Sequence, residues 1–222
     1  MTDDRSPFAT CRPYDRAERL SDAIVHITGL VLALAAVPVL ITLTAVLRGT
    51  AAEIAAVSIY GATLILMLSA SLAYNHMPKP EWQDWLRRFD LSAIYLKIAG
   101  TVTPFALLTG TGNTFLAAMW TAAVVATATT FLRRRRSTAL SIGIGLSMGW
   151  AVLIGGGEVL AMTSWPVFAL MLAGGLLYSA GTPFLMWEKL RFHNAIWHGF
   201  VVAASVVYFV AVTWHMVGTR MV

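Results

Sequence analysis

The chain reads as all-α: an integral membrane bundle of seven transmembrane helices, N-terminus cytoplasmic and C-terminus outside. Three observations predict this. First, 58% of the 222 residues are hydrophobic and only 12% are charged, and mean hydropathy is +0.70. A water-soluble domain of this length has no use for so much apolar surface. Second, the apolar residues gather into seven runs, most of them long enough to cross a hydrocarbon core of about 30 Å. Third, Lys and Arg fall almost entirely on one set of alternate loops.

In chain order the runs are Ala23–Leu47, Ile54–Asn75, Phe89–Leu108, Thr114–Leu132, Thr138–Ile154, Trp165–Trp187 and Ala195–Val217. Pro38, Pro104 and Pro183 lie inside runs, where membrane helices tolerate them as kinks. Gly155–Gly157 marks a point where the fifth helix is expected to fray or bend. No internal repeat or low-complexity linker interrupts the pattern. The expected organisation is a cytoplasmic tail over 1–19 and one membrane domain over 20–222. The first run is too long for a signal core and follows a polar tail containing Asp3 and Asp4, so an uncleaved protein of the bacterial inner (plasma) membrane is expected.

Orientation follows from the cations. The tail and the loops after runs two, four and six hold Arg5, Arg12, Arg16, Arg19, Lys79, Arg87, Arg88, Arg133–Arg136, Lys189 and Arg191. The opposite side holds Arg48 and Arg220. This bias puts the N-terminus in the cytoplasm. It also assigns the net charge of +5 to topology rather than to nucleic acid. Arg133–Arg136 reads as a topology anchor in preference to an anionic-lipid patch. Cys11 is the single cysteine, which excludes a disulfide and a multi-cysteine metal site. Trp82, Trp85, Leu86 and Phe89 recur at three- and four-residue spacing beside Arg87 and Arg88, which predicts a short amphipathic helix in the interface, started by Pro80.

The third run opens with Asp90 and carries Lys97 inside. A charge within a span costs at least about 2.5–3.5 kcal/mol on insertion scales and marks a site by default. With this topology, run two ends where runs three and seven begin. Ser71, Asn75 and His76, Asp90, and Asn194 and His198 therefore share one depth, and His26 of run one joins them. Ser71 and Asn75 share a helix face, as do Asn194 and His198. The layer reads equally as a functional pocket or as a hydrogen-bond network joining helices. His215 reads as packing or interfacial, and Glu158 as interfacial.

Several motifs are specific. Glu18 with His26, Ser71–Asn75 (SLAYN), Phe89–Tyr95 (FDLSAIY), Ile98–Phe105 (IAGTVTPF), Met148–Trp150, Gly174–Gly181 and Asn194–Val201 (NAIWHGFV) together resemble the haemolysin III family, the bacterial branch of the progestin-and-adiponectin-receptor membrane proteins. The resemblance runs from about Ala17 to Phe209. It implies a seven-helix bundle with a zinc site near the cytoplasmic face: three histidines on the metal, an Asp holding a water, a Ser nearby. It further implies either hydrolysis of ceramide-type lipid amides, as in receptor members, or membrane homeostasis, as in bacterial ones; the haemolysin name implies cytolysis.

The sequence departs from that pattern at the metal. Two of the three zinc histidines fall on Asn75 and Asn194, and only His198 remains. His76 and His193 stand one position away, a rotation of about 100° on a helix. The departure favours no bound cofactor, with zinc or another divalent cation as the alternative and His198 as its retained ligand. Lys97 is expected to lean toward Asp90 and offset its charge, in place of the metal. The favoured reading is a membrane-homeostasis or regulatory protein whose partners are membrane lipids. The alternatives are a lipid-amide hydrolase using Ser71, Asp90 and His198, and a pore or transporter.

Overall fold

A computed structural model describes residues 14–110, 112–133 and 137–218. Its helices are α1 (Arg16–Leu47), α2 (Ala51–His76), α3 (Gln83–Thr109), α4 (Asn113–Leu132), α5 (Thr138–Gly155), α6 (Gly157–Ala161), α7 (Trp165–Met186) and α8 (His193–Gly218). Seven of them are long and apolar enough to cross a membrane, all but the five-residue α6. The described chain has no strand.

Helix α1 starts well before the apolar run that announced it. Asp15 caps it: its side chain accepts from the Glu18 backbone N–H while Glu18 reaches back to the Asp15 N–H, a reciprocal capping box. The polar residues Arg16 to Asp22, expected to be mostly tail, are therefore two helical turns continuous with the span. The expected interfacial helix is likewise absorbed. A 3-10 turn at Pro80–Trp82 leads directly into α3, and no Pro or Gly interrupts that helix before Gly100. Trp82 of that turn and Trp85 and Phe89 of α3 remain exposed, with Trp85 and Phe89 against Phe131 of α4. Arg88 donates to the Thr130 and Phe131 carbonyls at the end of α4, where unpaired carbonyls and the helix dipole both favour a cation. The Gly155–Gly157 stretch is a true break: α5 stops at Gly155 and α6 begins at Gly157. Arg134–Arg136, Cys11 and Arg220 lie outside the described residues.

Helix α3 is the centre of the bundle. It packs on α2, α4, α5 and α8, and 72% of its most apolar window is buried, against 11% for α5. Close approach to α2 needs Gly100, where a Cβ would lie 2.1 Å from Thr63 Oγ1. Small residues at such contacts let membrane helices pack backbone to backbone. Helix α1 packs on α2 and α8, and α7 on α8. The start of α1, the end of α2, the start of α3 and the start of α8 meet at one end of the bundle.

Candidate functional site

Asp22 is the hub of that end. It is 4% exposed. Its Oδ1 accepts from His198 Nδ1 at 2.7 Å, and its Oδ2 accepts from Asn194 Nδ2 at 3.2 Å. His76 Nε2 stands 3.1 Å from Oδ2 without hydrogen-bond alignment, and His26 Nδ1 lies 3.5 Å from the same oxygen. One buried carboxylate thus faces three imidazoles. Burying a charge in a low dielectric demands such compensation.

Ser71 sits on the far side of the two inner rings. Its Oγ is 3.2 Å from His26 Nε2 and 3.4 Å from His198 Nε2. The rings of His26 and His198 lie 4.0 Å apart, centroid to centroid. His26 Nδ1 is fixed by the Asp22 backbone carbonyl at 2.9 Å. Asn75 donates to the Ser71 carbonyl at 2.9 Å and accepts from Asn194 Nδ2 at 3.0 Å. Asp90 lines the same cavity as His26, Ser71 and His198. The structure thereby brings together Ser71, Asn75, His26, His76, Asp90, Asn194 and His198. The sequence reading missed Asp22, because it began the first span at Ala23. The signal was available: Glu18, Asp22 and His26 recur every four residues along one helix face.

The two displaced histidines part company. His76 reaches Asp22, but His193, also buried, turns away from it, with Nε2 2.7 Å from the Tyr14 hydroxyl and Nδ1 3.2 Å from the Phe184 carbonyl. Burial first, then the charge of Asp22, pushes the Tyr14 phenol up to about 12. Phe192, just before α8, holds a left-handed backbone at φ 61°, and its N–H donates to Glu18 Oε1 at 3.1 Å. That bond ties the start of α8 to α1 and sets which face of α8 meets Asp22.

Lys97 does not lean onto Asp90. It is 3% exposed and donates to Tyr178 Oη at 2.9 Å, with Nζ 4.6 Å and 4.8 Å from the ring centroids of Tyr178 and Tyr208. Tyr178 in turn shares a hydrogen with Ser205 Oγ at 3.0 Å. Aromatic faces attract a desolvated cation, and they lie closer to Lys97 than a carboxylate two turns away. Gly174 makes room: a Cβ there would lie 2.5 Å from Tyr208 Cε2. His215 is buried against Phe105, their centroids 5.2 Å apart, and Glu158 accepts from the Gly112 N–H at 3.0 Å.

A cavity of about 160 Å³ runs from this polar end into the bundle, bounded by α2, α3, α5, α7 and α8, with His26 of α1 at its end. His26, Ser71, Asp90 and His198 form its polar end, Lys97 lies along it, and Ile94, Ile98 and Met171 are among its apolar walls.

A seven-helix membrane protein with an ionisable cluster closing one end of an internal apolar cavity is the class defined by this fold and site. A family model described as "Haemolysin-III related" matches residues 16–209. The chain is 36% identical to "Hemolysin-3" of Bacillus cereus over 205 residues, covering 91% of this chain and 93% of the relative. It is also 36% identical to "Hemolysin-3 homolog" of Bacillus subtilis (strain 168) over 203 residues, 90% and 95% of the two chains. The chain belongs to the haemolysin III family and is an integral, multi-pass membrane protein.

The zinc site that the family resemblance implies does not fit these residues. At two of its three positions stand the Asn75 and Asn194 amides, whose nitrogens only donate, and Asn194 Nδ2 donates to Asn75 Oδ1. Among the described residues a different set, Asp22, His26 and His198, has potential ligand atoms within 4.8 Å of one another and could hold an ion. His26 Nδ1 is held by the Asp22 carbonyl and His198 Nδ1 by its carboxylate, so Nε2 is the atom each ring would offer to an ion.

Proposed function

We propose that the protein binds membrane lipid and acts in membrane homeostasis, in a bacterial plasma membrane with its N-terminus cytoplasmic. The observation that carries this reading is the cavity: apolar walls long enough to take part of an acyl chain, closed by the Asp22–His198–Ser71 layer where the polar part of a lipid would lie. Ligand sites in helix bundles have this character, an apolar body with a few placed polar groups. The positive-inside bias puts that layer near the cytoplasmic face, within reach of inner-leaflet lipid. Cell lysis, the activity in the name of the two Bacillus relatives, is on this reading a consequence of disturbed lipid content.

The test is lipid occupancy. Protein extracted in mild detergent should retain lipid by native mass spectrometry. Gly145 lines the cavity, and a Cβ there meets nothing closer than 3.8 Å, so Gly145→Leu should fill the space without a backbone clash and displace the lipid. Equal occupancy in the two proteins would refute the reading.

A further inference from the structure

Lys97 is a buried amine on the wall of the cavity, 3% exposed. An ammonium has three hydrogens to donate and accepts none. One goes to Tyr178 Oη at 2.9 Å. The faces of Tyr178 and Tyr208 add their attraction, with centroids at 4.6 and 4.8 Å, and among the described residues no further group bonds it. Aromatic faces return part of the cost of taking a cation out of water. Full compensation for a buried charge needs an opposite charge.

The carboxylates of the cavity's polar end do not supply it. Asp22 is taken up by His198 and Asn194, and Asp90 bonds Ser71. Asp90 also lies seven residues before Lys97, about 10.5 Å of helix rise away. Two carboxylates at that end repel a third, so an anion entering the cavity finds its partner at Lys97. Tyr208 lines the cavity too, and its hydroxyl has no hydrogen-bond partner among the described residues. It is a second donor for an oxygen ligand.

Beyond Lys97 the lining is apolar, with Ile98, Val102, Phe105, Val152 and Met171. From Lys97 to Phe105 α3 rises about 12 Å, room for an extended chain of about eight carbons. The volume of about 160 Å³ sets the ceiling, since an apolar cavity of about 150 Å³ takes a ligand the size of benzene. The space beside Lys97 suits one short chain and not a whole lipid.

We propose that Lys97 anchors a binding site for a small hydrophobic carboxylic acid in its ionised form, with the carboxylate on the ammonium and the hydrocarbon tail along α3 toward Phe105. The site goes beyond the lipid reading, because it places the ligand's polar group at Lys97 and not at the Asp22 layer. It rests on Lys97 and the apolar lining alone. Charge selects the acid over neutral molecules of the same shape, and the walls select a tail over a bare anion.

The test is equilibrium dialysis of the full chain in detergent against radiolabelled octanoate at neutral pH, with empty micelles as the blank. Binding should saturate toward one octanoate per chain. Lys97→Met keeps the apolar stem and should weaken it by about 10- to 100-fold, the worth of a hydrogen bond to a charged group. Acetate lacks the tail and should displace octanoate at least about 100-fold less effectively than unlabelled octanoate does. Tyr178→Phe removes a hydroxyl and keeps the ammonium, so it should bind at least as tightly as wild type. That variant carries the test if the elution profile and melting temperature of Lys97→Met show a lost fold. No saturable binding, unchanged affinity in folded Lys97→Met, lost affinity in folded Tyr178→Phe, or equal displacement by acetate would each overturn the proposal. Native mass spectrometry of the same wild-type sample keeps the two readings apart. Retained lipid without octanoate binding removes the Lys97 site and leaves lipid binding, and octanoate binding without retained lipid does the reverse.

Discussion

Two polar regions lie on one cavity, and they solve burial in opposite ways. At its end, Asp22 is a carboxylate ringed by imidazoles and an amide from three helices. Along its side, Lys97 is held by two aromatic faces and one hydroxyl, with no ion pair to a carboxylate among the described residues. The first region is a network in which each group satisfies several others, so removing one strands the rest. The second is one ammonium in a cage of neutral groups, any of which survives without it. A buried charge is thus weak evidence of importance until its partners are counted.

The comparison breaks most sharply at Asp22. Asp22→Ala leaves His198 and Asn194 without their acceptor, removes the carboxylate facing His26 and His76, and should destabilise the folded protein by about 3–5 kcal/mol, the range for breaking a buried ion pair. Unfolding in SDS–detergent mixtures measures it, and a loss below about 1 kcal/mol would show that the histidines are held by other means. At the other region Lys97→Met removes a buried charge and keeps an apolar stem of similar length. Tyr178 keeps Ser205 as its partner, so the change should be neutral or stabilising, within about 1.5 kcal/mol. A loss as large as that at Asp22 would mean that Lys97 pairs with a negative group.

The fold was largely legible because each span must bury or expose whole helical faces to lipid, and composition alone records that. What escaped was local chemistry at the helix ends. Asp15 and Glu18 extend α1 by a capping box, which hydropathy does not register, and Asp22 was lost with that extension. Three- and four-residue spacing of Trp82, Trp85 and Phe89 marks an amphipathic face, but spacing cannot tell a separate helix from the first turns of α3. At the site, shared depth followed from topology, and so did the grouping of Ser71, Asn75, Asp90, Asn194 and His198. Direction did not. Which way His193 turns depends on the backbone of Phe192 at φ 61°, and whether Lys97 meets Asp90 or Tyr178 depends on space left by Gly174. Neither is a one-dimensional property.

The central claim is that a hydrogen-bonded network of Asp22, His198, Ser71, Asn75 and Asn194 stands in this chain where the family resemblance implies a three-histidine zinc site. Metal content tests it most directly. Protein purified without added zinc should carry far less than one zinc per chain, and an Asn75→His, Asn194→His variant should gain zinc toward one per chain. Stoichiometric zinc in the wild type, or its absence from the folded variant, would contradict the account.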